Sequence, residues 1–187
     1  KRVGLGFLME KEDRYLQGAL DSLYGLIIGG GPKVSEKVPV VKNVIKNIAP
    51  GGFIVIGTGP VAAFLKNSHG IVIGQKPKDQ DLKDAAAIES LARSRGVEIL
   101  LPVDFIMADR DLTAAADGDK NWIDLKKIPE GTGIYTVTLD QLKAGSITLD
   151  DGTVVDTRAL YAYHIGPRTP ELFRQRLVGT PKAKSVF

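Results

Sequence analysis

Apolar residues are distributed along this chain in two ways: short unbroken runs, and longer stretches where they recur every three or four positions. The runs Leu26 to Ile28, Phe53 to Ile56 and Val97 to Leu101 predict strands of the kind buried in a parallel sheet covered by helices. Between them the spacing is helical. Tyr15, Leu16, Ala19, Leu20 and Leu23 form the apolar stripe of a helix over about 10–23, with the charged run Glu10 to Arg14 at its start. Val38, Val41, Val44, Ile45 and Ile48 predict the inward face of a second helix, with Ser35 as its N-cap and Pro39 tolerated in its first turn. A third helix is expected through Val61, Phe64 and Leu65. A fourth is expected over about 80–95, through Ala86, Ile88, Leu91 and Ala92, with Gly96 as terminator. Strands alternating with helices of this length predict right-handed βαβ units, hence a three-layer α/β fold with a doubly wound, mostly parallel sheet.

The character changes after about residue 110. Ala114 to Asp119 reads as a loop, whereas Ile134 to Thr138, Ser146 to Leu149 and Thr153 to Val155 are β-rich, and Asp151-Gly152 between the last two signals a hairpin. A short helix over Thr169 to Leu177, with Leu172, Phe173 and Leu177 apolar, completes the pattern. With 187 residues and 43% hydrophobic content, residues 1–187 are expected to form a single domain with a sizeable core.

Charge and composition narrow the function classes. The net charge of +3 arises from 25 basic and 22 acidic residues without a long block of one sign, so neither a nucleic-acid surface nor a membrane surface is indicated. The absence of cysteine excludes disulfides and thiolate metal sites and fits a reducing intracellular compartment, cytoplasm or organelle matrix. No apolar run approaches the roughly 20 residues of a membrane span. Position 1 is Lys and no signal or transit pattern is visible, so either a leader has been removed or the chain is a piece of a longer one.

Candidate chemistry concentrates where the first strand ends. Gly29-Gly30-Gly31 is followed by Lys33 and Lys37 and then by a helical pattern. Glycines let backbone approach a ligand, amides at a helix start favour anions, and nearby lysines add mobile positive charge. The alternative is a tight strand-to-helix turn with solvated lysines; the Walker pattern, with adjacent Gly-Lys-Ser/Thr, is absent. Gly57-Thr58-Gly59-Pro60-Val61-Ala62 fits G-x-G-x-x-A after a strand, but the acidic residue expected about 20 positions later would be Asp79 or Asp81, in a loop instead of at a strand end. Asp117, Asp119 and Asn121 have the alternate spacing of a calcium loop, with Trp122 where glycine is needed and Ile128 where glutamate is needed. Trp122 is simplest as a core or edge aromatic. His69 and His164 lie far apart in sequence and are expected in structural or surface roles, so no metal site is expected.

Several blocks carry a family resemblance. Gly30-Gly31-Pro32-Lys33-Val34-Ser35-Glu36-Lys37 resembles the phosphoglycerate kinase signature GGAKVSDK, Gly6 to Glu12 its GFLMEKE, Leu100 to Phe105 its LPVDF, and Ile165 to Thr169 its IGPKT. The resemblance covers most of the chain apart from about 133–163, read as an inserted β-hairpin that projects from the surface. It implies the nucleotide-binding domain of that kinase, with Gly30, Gly31, Lys33, Lys37, Gly57 and Gly59 as the residues matching its nucleotide site. It also exposes departures. Pro32 replaces a small residue of the signature, and Ile56 to Leu65 resembles IGGGMAFTFL with Thr58 and Pro60 in place of Gly and Met. His164 replaces an aspartate before the IGPKT block. Lys182 to Phe187 resembles the AKTVVW strand that precedes WNGP, and both ends of the chain fall inside elements of the family fold. WNGP, the GGGD loop and the amino-terminal domain are absent from these residues.

The resulting expectation is a degenerate phosphoglycerate-kinase-like domain without catalytic residues. It would serve as a structural or interaction subunit of a larger assembly, reached through residues 134–160, with no cofactor and weak ADP or ATP binding at most. One alternative is a partial chain of an ATP-dependent phosphoglycerate kinase, transferring phosphoryl between 1,3-bisphosphoglycerate and ADP in glycolysis. Another is a nucleotide-sensing module without transfer activity.

Overall fold

Strand Phe53–Ile56, here β2, is buried along its whole length, and the first half of the fold is arranged around it. The computed structural model describes residues 7, 9–11, 23–29, 36–73, 76–115, 123, 125–178 and 185–186. On one side β2 pairs in parallel with β1 (Leu23–Ile28), Gly25 opposite Phe53 and Ile28 opposite Ile56. On the other it pairs in parallel with β3 (Glu98–Leu100). The sheet order is β3-β2-β1-β9, where β9 is Ser185–Val186. The three expected strands are therefore present and parallel. Burial is complete only for β2: β3 is the outer strand, with Glu98 exposed and Ile99 and Leu100 half-buried, and Ile27 of β1 is 50% exposed.

The helices follow the periodicity. In α1 (Val38–Asn47), Val38, Val41 and Ile45 are buried and Val44 packs against the core, as does the capping residue Ile48. Pro39 lies in its first turn. The N-cap is Lys37, with no side-chain cap bond, and Ser35 lies outside the described residues. Helices α2 (Val61–His69) and α3 (Asp79–Ser94) bury Val61, Phe64, Leu65, Ile88 and Ala92, and Gly96 ends the α3 region with φ of 65°. The expected helix over 10–23 lies outside the described residues except at 10, 11 and 23, and Leu23, expected on its apolar stripe, instead opens β1, where it pairs with Ser185. No helix among the described residues is long and apolar enough to cross a membrane.

The second half departs from a mostly parallel sheet. Asp104–Ala108 forms β4, paired antiparallel with β5 (Ile134–Thr138) on one side and with β8 (Tyr161–Ile165) on the other. Pro102 closes β3 as expected, yet a new strand begins two residues later. The chain returns antiparallel from β4 to β5. The fold is thus α/β with parallel and antiparallel sheets flanked by helices.

The β-rich segment over about 133–163 contains the expected hairpin, β6 (Ser146–Thr148) and β7 (Val154–Asp156), turned at Gly152 with φ of 83°. It also contains a helix, α4 (Leu139–Ala144), opened by a capping box between Thr138 and Gln141. The segment does not simply project. Leu142, Ile147 and Leu160 are buried in the same cluster as Phe105, Met107 and Val137. Removing the hairpin would therefore open the core.

The last helix, α5 (Arg168–Val178), is tied to β4 by a buried carboxylate. Asp104 has no exposed surface; its oxygens accept from Arg168 N at 2.9 Å, Thr169 N at 2.9 Å and the Thr169 hydroxyl at 2.5 Å. A Cβ at Gly166 would lie 2.3 Å from Asp104 Cγ, so only glycine lets the chain pass this carboxylate. At the other end of α5, Arg176 bonds Glu98 at 2.7 Å and stands 5.8 Å from the centre of the Phe53 ring.

Asp104→Ala, which strands two amides and a hydroxyl, is expected to destabilise by about 3 kcal/mol in urea denaturation, and Thr169→Val by about 1–2 kcal/mol. An Asp104→Ala loss below about 0.5 kcal/mol would mean the clasp is not structural. Glu171, exposed on α5, accepts from Arg174 and Gln175, and these bonds lower its carboxyl from 4.5 to about 2. Because the folded value lies below the unfolded one, the contact contributes above about pH 4.5 and is lost as pH falls toward 2. An NMR titration should place the Glu171 midpoint near 2, and Arg174→Met should move it back toward 4.5.

Candidate functional site

Strands β1 and β2 end side by side, Ile28 opposite Ile56; β1 runs into Gly29, and β2 into a glycine-containing loop that opens α2. From β1 the next strands in sequence, β2 and β3, step outward in one direction, while β9 lies on the other side of β1. The strand order therefore reverses beside β1. In open α/β sheets a ligand binds outside the carboxyl ends of the strands at such a reversal.

The loop after β2 is built for close approach. Gly57 N donates to Ile28 O at 2.7 Å, joining the two strand ends. A Cβ at Gly57 would stand 3.0 Å from Ile28 O and 3.3 Å from Gly29 Cα, so the two loops come together because residue 57 has no side chain. Its φ is not positive, so space sets the requirement here, not conformation. Thr58 and Gly59 are half-buried in the turn, and Pro60 is the buried N-cap of α2 with φ of −81°.

That position changes the effect of the proline. A helix presents the amides of its first turn, and the N-cap residue precedes them. Ala63 N bonds Pro60 O at 3.2 Å, whereas the amides of Val61 and Ala62 have no partner among the described residues. Proline at 60 removes its own N–H but leaves these two donors, together with the positive end of a nine-residue helix.

Lys37 stands at the start of α1, half-buried, and its carbonyl accepts from Val41 N at 2.9 Å. Gly57 and Gly59 thus lie at the carboxyl end of β2, and Lys37 lies at the start of α1. Gly30, Gly31 and Lys33, with Pro32, lie outside the described residues, as do Asp117, Asp119, Asn121 and Trp122.

The remaining candidates are dispersed. His69 is the exposed last residue of α2, and His164 is exposed on β8 with Nδ1 3.1 Å from Ile165 O. Asp79 and Asp81 lie in the first turn of α3 instead of a loop; carboxylates there complement the helix dipole. Among the described residues no three His, Cys, Asp or Glu side chains converge to hold a metal ion.

A family model described as phosphoglycerate kinase matches residues 2–177. The chain belongs to the phosphoglycerate kinase family. The phosphoglycerate kinase of Prochlorococcus marinus (strain MIT 9211) is 36% identical over 149 residues, covering 78% of this chain and 35% of that protein. That of Nostoc sp. (strain PCC 7120 / SAG 25.82 / UTEX 2576) is 32% identical over 155 residues, 80% of this chain and 36% of that protein. The chain thus spans about a third of the length of the curated phosphoglycerate kinases it matches. The solved structure of phosphoglycerate kinase from Coxiella burnetii shares the fold, with a TM-score of 0.65 at 21% identity over 94% of this chain and 37% of that one.

In this phosphoglycerate kinase fold, Gly57→Ala is expected to cost about 1–3 kcal/mol, because a methyl group would push the β2 loop off the end of β1. Thermal unfolding monitored by circular dichroism measures it; an unchanged midpoint would show that the two loops are not in fixed contact.

Proposed function

We propose that this chain is part of the nucleotide-binding half of a phosphoglycerate kinase. It would hold the phosphates of ADP or ATP at the carboxyl ends of β1 and β2, in a protein that transfers a phosphoryl group between 1,3-bisphosphoglycerate and ADP. The observation that carries this reading is the pair of amides, Val61 and Ala62, left without partners among the described residues where α2 opens beside Gly57.

Phosphoryl transfer asks a protein mainly for positioning and for positive potential around the transferring group. Gly57 lets the β2 loop close against the end of β1, the two amides donate to phosphate oxygens, and the start of α2 adds the dipole. Lys37, at the start of α1, supplies a cation on the neighbouring loop; by family likeness, Lys33 supplies a second. A dry, closed site would come from the rest of the protein, and these residues would present the nucleotide to it.

A second reading, a degenerate domain retained as a structural or interaction component, draws on Thr58, whose side chain occupies the turn where the family carries glycine, and on Pro32. One titration separates them. Calorimetry with ADP is expected to give a dissociation constant between roughly 10 μM and 1 mM. Lys37→Ala should weaken it about tenfold to a hundredfold through loss of a charge-assisted bond. Pro60→Met should change it by less than about twofold, since the helix-start donors are unaltered. No saturation at about 10 mM ADP would discard the nucleotide reading in favour of the second.

A further inference from the structure

The extra segment leaves two strand edges open on one groove. Three consecutive residues of β5, Ile134 to Thr136, line one wall, and three consecutive residues of the hairpin, Ile147 to Leu149, line the other. Successive side chains of a strand point to opposite faces, so an unbroken run of lining residues marks an edge. The topology agrees: among the described residues β5 is the outer strand of the order β5-β4-β8, and β6 pairs only with β7.

The register fixes which backbone groups are open. Leu139 N donates to Val103 O and Asp109 N to Gly133 O, so along β5 the residues that bond β4 are Tyr135 and Val137. Ile134 and Thr136 then turn their N–H and C=O groups outward. Thr138 also faces outward, but its N–H is taken by Gln141 Oε1 at 2.8 Å. On β6, Leu149 N to Thr153 O and Thr157 N to Gly145 O put Ile147 in the ladder and leave Thr148 facing out. The open groups recur at every second residue, the period of an extended strand.

Charge defines the occupant. Within 134–160, Asp140 pairs with Lys143 and Asp156 with Arg158. Asp150 and Asp151, which line the groove, pair with no cation among the described residues. Asp151 accepts from Thr153 N at 2.9 Å, which holds its carboxyl below the ordinary range. In a chain of net charge +3, this rim is locally negative.

We propose that the groove docks an extended, lysine- or arginine-bearing segment of a partner protein, added as a strand to the β5 edge with its cations beside Asp150 and Asp151. Ile134, 51% exposed, and Leu149 give alternate aliphatic side chains of that segment an apolar footing. The site is separate from the β1 and β2 loops and does not depend on the nucleotide reading.

A displayed library of random peptides, selected on the protein, tests this. Enriched sequences are expected to carry Lys or Arg at every second position among β-branched residues. Their binding, read by fluorescence anisotropy, should weaken roughly three- to tenfold with Asp150→Lys and fall with added salt. Hydrogen exchange should show the Ile134 and Thr136 amides protected on binding. Thr136→Pro deletes an outward donor without cutting a bond to β4, and should abolish binding. If that variant melts early, Asp150→Lys and the exchange pattern decide alone. Neutral or acidic winners, helical spacing of the basic residues, no enrichment, or binding that leaves those amides unprotected would overturn the proposal. So would concentration-dependent self-association abolished by Thr136→Pro, which would put a second copy of the chain on this edge.

Discussion

A carboxylate with no exposed surface is tolerated only where its lone pairs are filled, and Asp104 meets that condition with the start of a single helix. The cost of burying the charge becomes a constraint on the chain. Gly166 must pass within contact of the carboxyl, Thr169 must supply its hydroxyl, and α5 must begin where its first amides meet the oxygens. From that fixed start the helix carries Arg176 to Glu98 and to the face of Phe53, at the amino-terminal ends of β3 and β2. One buried group on the antiparallel sheet therefore sets the position of the parallel one.

This division places stability and chemistry at opposite ends of the same strands. At the amino ends, Phe53 packs its ring against Gly25 and under Arg176. At the carboxyl ends, the bond from Gly57 N to Ile28 O joins the two strand ends. Substitutions can vary the loops, as at Thr58 and Pro60, without disturbing the aromatic and ionic contacts beneath them.

Where burial is local, the sequence announces it. The unbroken run of β2 and the stripes of α1 and α2 are legible because each element buries one long apolar surface. β4 was not legible: Asp-Phe-Ile-Met-Ala follows a proline, and its burial comes from partners about 30 and 60 residues downstream, which no window of local pattern contains. α4 is too short for periodicity, although its capping box, Thr138 with Gln141, is readable in the sequence. In the candidate site, the glycine loops were legible as places. The donors were not, because whether Pro60 deletes a helix-start amide depends on a helix boundary of one residue, the least certain feature of any sequence pattern.

The pairing of β1 with β9 joins residues 23–25 to residues 185–186. During synthesis β1 leaves the ribosome well before β9, and that side stays uncovered until the intervening sequence has been made. Until then it presents an unpaired apolar edge next to a glycine loop, the kind of surface that chaperones hold and that aggregates nucleate on. Loop closure over so many residues makes this pairing a late event in folding, so the β9 side of β1 is covered only after the chain between them has folded back.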